Sequence, residues 1–157
     1  MPSPLAPTTI PFLAAPTIKV QKLHPAAQLP RYSHAGPFGD LAADLHAVSA
    51  WKIEPGETVA VPTGIALELP ATHGALVEDR SGLAVKGITT LAGVIDPGYR
   101  GEIKIVLTNL SPLAYAINPG DRIAQLRIVK RIEATFEEVS TLADAPRGAG
   151  GFGSTGI

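Results

Sequence analysis

Apolar residues along the chain come in short runs divided by glycine and proline, and no long run repeats at helical spacing. Strand-like runs cover 18–23, 58–61, 65–69, 75–78, 102–109, 114–117 and 122–130. In the run from Glu102 to Asn109, polar and apolar residues alternate at first and then give way to an apolar stretch, as in a strand entering a core. Pro55-Gly56, Pro97-Gly98 and Pro119-Gly120 each fall between such runs. They predict tight turns, because proline presets φ and glycine accepts positive φ. One short helix is predicted, with Ser81 as its N-cap, 83–86 as its body and Gly87 as its stop. The expectation is an all-β domain of two stacked antiparallel sheets, a sandwich or jelly roll, carrying one short helix.

Composition limits what such a domain does. The chain has 157 residues, enough for one domain with a real core, and 45% of them are apolar. It divides into a Pro/Ala-rich arm at 1–17, a folded domain at 18–146 and a Gly-rich arm at 147–157, expected to stay flexible until a ligand orders it. A net charge of −1 argues against nucleic-acid binding, which calls for a basic surface. No apolar run is long enough to span a bilayer, and 1–17 lacks the charge pattern of a signal peptide, so no membrane role is expected. There is no cysteine, which excludes thiolate chemistry and leaves a cytoplasmic location as the default expectation. His24, His34, His46 and His73 lack ligand spacing, so a zinc site is not expected, and Trp51 reads as packing.

Three segments carry groups suited to chemistry. Arg80-Ser81-Gly82 would give a planar cation, a hydroxyl and accessible backbone amides to an anion, or would simply open an ordinary helix. Asp96 follows an apolar run and precedes Pro97-Gly98; a carboxylate there would take a proton from water, or would merely start the turn. The tail from Arg147 holds Phe152, Ser154 and Thr155 among glycines, which suits phosphates and a flat ring, or a disordered end.

In order, these segments resemble the five motifs of the trimeric dUTPase family, from Gly39 onward. Motif one resembles Ala42-Ala43-Asp44-Leu45-His46-Ala47, and motif two resembles Arg80-Ser81-Gly82-Leu83-Ala84. Motif three resembles Gly93-Val94-Ile95-Asp96-Pro97-Gly98-Tyr99-Arg100-Gly101, running on to Asn109. Motif four resembles Gly120-Asp121-Arg122-Ile123-Ala124-Gln125-Leu126, and motif five the Gly-rich tail from Arg147 to Gly156. The resemblance implies a dUTPase-like jelly roll (β-clip type), assembled as a homotrimer with shared active sites. It implies hydrolysis of dUTP to dUMP and pyrophosphate, limiting uracil in DNA and supplying dUMP for dTMP synthesis. It implies Asp96 as the base for water attacking the α-phosphorus. Mg²⁺ would be held mainly by the substrate phosphates, with Asp44 contributing through water. Gly93, Val94, Ile95 and the backbone of Lys104 would read uracil, and Tyr99 would pack under the deoxyribose. Arg80, Ser81, Gly82 and Gln125 would bind phosphates. Arg147, Gly153, Ser154 and Thr155 would close over them while Phe152 stacks on the base.

The chain departs from the family's usual pattern at Ala42 and Ala43, at Asp79 where proline is frequent, and in a short 87–93 connection. Thr90 stands where many bacterial relatives carry an asparagine that contacts the base, and is therefore a candidate substrate-binding residue. Two other readings are open. One is a dCTP deaminase-like or bifunctional enzyme, but Val106 occupies the position of that family's general-base glutamate. The other is a catalytically silent, nucleotide-responsive regulator, which would be expected to lose Asp96 or the tail.

Overall fold

A computed structural model describes residues 14–153. Its strands in chain order are β1 (Lys19–Lys22), β2 (Ala43–His46), β3 (Trp51–Ile53), β4 (Thr58–Glu68) and β5 (His73–Glu78). After the single-turn helix α1 (Ser81–Ala84) come β6 (Ile88–Leu91), β7 (Val94–Ile95), β8 (Glu102–Asn109), β9 (Tyr115–Ile117) and β10 (Arg122–Lys130). One sheet runs β1-β4-β8-β6, a second runs β2-β10-β5-β7, and β3 pairs with β9 as a ribbon. All pairings are antiparallel. This is the expected all-β jelly roll with one short helix.

The core follows from alternation. On β8, Ile103, Ile105 and Leu107 are buried, and on the facing sheet Leu45, Ile123, Ala124 and Leu126 complete the same cluster. A register shift in β10 between Arg122 and Ala124 accompanies two consecutive core residues, Ile123 and Ala124. Trp51 packs against the cluster from its edge, as predicted, with its Nε1 donating to Ser49 Oγ at 3.0 Å.

Two predictions are corrected. The runs 58–61 and 65–69 form most of one strand, β4, which continues through Pro62-Thr63-Gly64. Pro62 cannot donate to the ladder, and Gly64 has φ 70°, so the register with β8 shifts there. Side chains restore the lost pairing: Thr63 Oγ1 donates to the Ile103 carbonyl at 2.5 Å, and Gly64 N donates to Glu102 Oε1 at 3.0 Å. The helix, too, differs from expectation. Its N-cap is Arg80 rather than Ser81, with no side-chain cap bond, and its body is only one turn. The three predicted Pro-Gly turns are present. Beyond β10 the chain forms no further strand among the described residues, and Ile132, Phe136 and Leu142 lie exposed.

Candidate functional site

Strand β10 lies between β2 and β5, and its Gln125 is the cross-strand partner of both Asp44 and Glu78. Because β5 ends one residue before Asp79, this register carries the following Arg80-Ser81 turn to the same corner. The result is a cleft of about 560 Å³ lined by Asp44, Arg80, Ser81, Arg122 and Gln125, with Ser33 and His34 on its rim. Asp44 organises it. Its Oδ1 accepts from Arg80 Nε at 3.0 Å, and its Oδ2 accepts from Arg122 Nη1 at 3.4 Å and from Ser33 Oγ at 2.9 Å. Arg80 Nη1 donates to the Arg122 carbonyl at 3.2 Å, and Arg80 Nη2 has no protein partner among the described residues. Glu78, nearby, is committed to Arg127 in a two-pronged pair, and that hydrogen bonding holds its carboxyl below the usual range.

The amides of Ser81 and Gly82 and the Ser81 hydroxyl also have no acceptor among the described residues. A Cβ on Gly82 would meet nothing within 4 Å, so the chain's own packing does not require glycine there. This corner therefore presents cationic and neutral donors with no protein acceptor, a set suited to phosphate oxygens.

A second cleft, of about 480 Å³, is lined by Ala92, Gly93, Val94, Ile95, Asp96, Tyr99, Glu102, Lys104 and Val106, among others. Here the chain crosses from one sheet to the other through Ala92 and Gly93, both at positive φ (62° and 120°). A Cβ on Gly93 would lie 2.6 Å from the Val77 carbonyl oxygen, so only glycine fits. Gly93 O accepts from Val77 N at 2.8 Å, which ties the crossover to β5. A non-glycine residue held at positive φ is a strain of the kind that concentrates at functional sites.

Asp96 follows, exposed, with no partner for its carboxylate among the described residues. Its carbonyl accepts from Tyr99 N at 3.1 Å, closing the Pro97-Gly98 turn. Tyr99 lies back over Gly101 and donates its hydroxyl to the Glu102 carbonyl at 3.0 Å. Lys104 pairs with Pro62 on one flank, whereas β6 stops pairing with β8 at Val106, so the other flank of Lys104 opens on the cleft.

The two clefts share no lining residue. The chain thus brings Asp44, Arg80, Ser81 and Gln125 together, and separately gathers Gly93, Val94, Ile95, Asp96, Tyr99 and Lys104, without joining the two sets. Gln125 is turned inward, donating Nε2 to the Asp79 carbonyl at 2.6 Å. Thr90 lines neither cleft; its hydroxyl donates to Asp79 at 2.6 Å. In the tail, Arg147 Nε donates to the Gly150 carbonyl at 2.7 Å, and Phe152 is fully exposed, away from both clefts. Gly153 is the last residue described; Ser154 and Thr155 lie outside the described residues. Sequence reasoning assigned no role to Arg122 or Ser33, which meet Asp44 from 78 positions later and 11 positions earlier in the chain.

Residues 31–156 match the family model described as dUTPase. The chain belongs to the dUTPase family. It is 50% identical over 142 residues to the deoxyuridine 5'-triphosphate nucleotidohydrolase of Solibacter usitatus (strain Ellin6076), covering 88% of this chain and 95% of that protein. It is 51% identical over 138 residues to the Bifidobacterium longum subsp. infantis protein of the same name, covering 85% of this chain and 84% of the relative. Among solved structures, the dUTPase of Staphylococcus bacteriophage 80alpha with dUPNHPP superposes with a TM-score of 0.81 at 26% identity, over 91% of this chain and 100% of that one. No described helix of this dUTPase-family chain is long and apolar enough to cross a membrane.

Proposed function

We propose that the chain hydrolyses dUTP to dUMP and pyrophosphate in the cytoplasm, at sites each built from several copies of the chain in a homotrimer. The division of the site residues into two separate clefts carries this reading. One cleft offers phosphate donors but every carboxylate lining it is engaged by hydrogen bonds, and the other offers the Asp96 carboxylate, unpartnered among the described residues, and open backbone with Lys104 as its one lining cation. Juxtaposing the first cleft of one copy with the second cleft of another supplies both. The exposed Ile132, Phe136 and Leu142 give the segment after β10 apolar surface for contact between copies.

In such a composite site the triphosphate sits against Arg80, Ser81 and Gly82, with Gln125 holding the turn that presents them. Asp44 pre-orients Arg80 and Arg122, so their charges need no rearrangement when the anion arrives. Uracil lies against the backbone of Gly93, Val94, Ile95 and Lys104, whose open flank offers main-chain groups for hydrogen bonding. Tyr99 floors the deoxyribose and leaves no space for a 2′-hydroxyl. Asp96 accepts the proton of a water whose oxygen bonds to the α-phosphorus, while the bond from that phosphorus to the bridging oxygen breaks and pyrophosphate leaves. The tail, through Arg147, Phe152, Gly153, Ser154 and Thr155, closes over the bound nucleotide.

Among the described residues no three His, Asp or Glu side chains gather around a possible metal position. Mg²⁺ held mainly by the triphosphate would meet the acidic side chain of Asp44, which lines the first cleft, through water. When bound, that ion neutralises charge on the phosphates and leaving group. Val106 lines the second cleft and moves no protons, which weighs against dCTP deamination. Pyrophosphate release from dUTP, UTP, dCTP and dTTP tests the proposal. Turnover confined to dUTP is expected; turnover of none, or deamination of dCTP, contradicts it.

A further inference from the structure

Asp79 lines the phosphate cleft, yet its carboxylate turns away from it. Oδ1 accepts from Thr90 N at 2.5 Å and from Thr90 Oγ1 at 2.6 Å, and Oδ2 accepts from Thr89 Oγ1 at 2.6 Å. On the other side the Asp79 carbonyl accepts from Gln125 Nε2 at 2.6 Å. A single residue is thus held by β6 of one sheet and β10 of the other. Arg80, the first phosphate donor, follows it directly. Thr90 leads through Leu91 and Ala92 to Gly93, on the crossover that lines the base-side cleft. Burial alone pushes the Asp79 carboxyl up, but the hydrogen bonds from Thr89 and Thr90 outweigh it and hold the group below its ordinary value, as an ionised acceptor.

We propose that Asp79 is a positioning residue of the reaction, fixing the Arg80-Ser81-Gly82 donors and the 92–95 crossover in one geometry. This rests on the dUTP-hydrolysis reading. Catalysis of phosphoryl transfer is largely alignment, so loosening this tie acts on turnover as well as on binding. The two parts it joins belong to two different composite sites of the trimer. Its loss therefore damages the phosphate half of one site and the base half of another, and both kcat and KM shift.

The experiment compares full-length wild type, Asp79→Ala, Asp79→Asn, Thr90→Val and the Asp79→Ala/Thr90→Val double variant for kcat and KM on Mg·dUTP, with thermal melts alongside. Asp79→Ala is expected to lower kcat/KM by about tenfold or more, within the ~100-fold that a misplacement of about 1 Å costs. Asp79→Asn is expected to recover most of it, because its amide oxygen still accepts from Thr90 N while the threonine hydroxyls turn to suit the amide group. The double variant should be no worse than Asp79→Ala, since both changes remove one shared interaction. A lower melting temperature with kcat and KM within about twofold of wild type overturns the proposal, as do single effects that multiply. If Asp79→Ala does not fold, Thr90→Val decides: a loss of about threefold or more supports the tie, and wild-type kinetics overturn it. Wild type inactive on dUTP rejects the parent reading instead. Amide exchange at Ser81 and Gly82 then judges Asp79, with faster exchange in Asp79→Ala supporting the proposal and unchanged exchange overturning it.

Discussion

Substituting Gly101 by alanine isolates the role of Tyr99 without touching the ring itself. Gly101 is not at positive φ, so its backbone accepts a side chain. The new Cβ, however, would lie 2.6 Å from Tyr99 Cζ and 3.0 Å from Cε2. Carbon pairs settle at about 3.5–4.0 Å, so the ring must retreat by roughly 1 Å. That movement weakens the 3.0 Å bond from the Tyr99 hydroxyl to the Glu102 carbonyl. The ring is partly exposed, so this loss costs the fold no more than about 1 kcal/mol. A displacement of about 1 Å at a reacting geometry costs up to about 100-fold in rate. We therefore expect kcat/KM for dUTP to fall by roughly 10–100-fold while the melting curve stays near wild type. The preference for dUTP over UTP should fall by about tenfold or more, because the surface that excludes the 2′-hydroxyl has moved. Steady-state pyrophosphate release on both nucleotides measures this. An unchanged dUTP-to-UTP preference would refute the steric role of Tyr99.

Asp96→Asn should bind a non-hydrolysable dUTP analogue normally while turnover drops by at least ~100-fold, measured in the purified protein. A chain ending at Pro146 should fold and assemble but lose most activity. Mixing it with Asp96→Asn subunits should restore some activity if the tail serves a neighbouring copy, and mass-verified mixed assemblies that stay inactive reject tail sharing. Asn109 is fully buried; its Nδ2 donates to the carbonyls of Ile53 (2.9 Å) and Leu113 (2.7 Å), and its Oδ1 accepts from Ser111 N at 2.9 Å. Asn109→Ala leaves these groups unpaired and should cost roughly 2–4 kcal/mol, read as a melting temperature lower by about 5–15 °C. His46 Nδ1 is buried without a partner among the described residues, and burial lowers the pKa of the ring. The folded state thus prefers neutral imidazole. Its stability contribution is complete above about pH 6.5 and is lost as pH falls towards the lowered folded value, so a melt series from pH 7.5 to 5 should decline less in His46→Gln.

Two of the three longest strands were the most legible. β8 and β10 match their predicted bounds because each carries enough apolar positions to declare its periodicity. Strands β2, β6 and β7 have two to four residues each, too short for a period, and pair with the longer β10, β8 and β5, while the three-residue β3 pairs with the equally short β9. Pro62-Thr63-Gly64 looked like a break because the bonds that carry β4 through it come from Thr63 and Glu102 side chains, a long-range arrangement that local propensity does not encode. The ordered motifs pick out candidate site residues, but their partition into two clefts is not legible there, since it depends on sheet order. Likewise the meeting of Asp44 with Arg122, 78 positions away, and of Asp79 with Thr89 and Thr90 follows from register across strands.

The central claim is that water attacks the α-phosphorus of dUTP with Asp96 taking its proton. Single-turnover hydrolysis in ¹⁸O-enriched water, with both products analysed by mass spectrometry, tests it most directly. The account predicts one ¹⁸O in dUMP and none in pyrophosphate, at a rate that collapses in Asp96→Asn. Label in the pyrophosphate, or an unchanged rate without the Asp96 carboxylate, would contradict it.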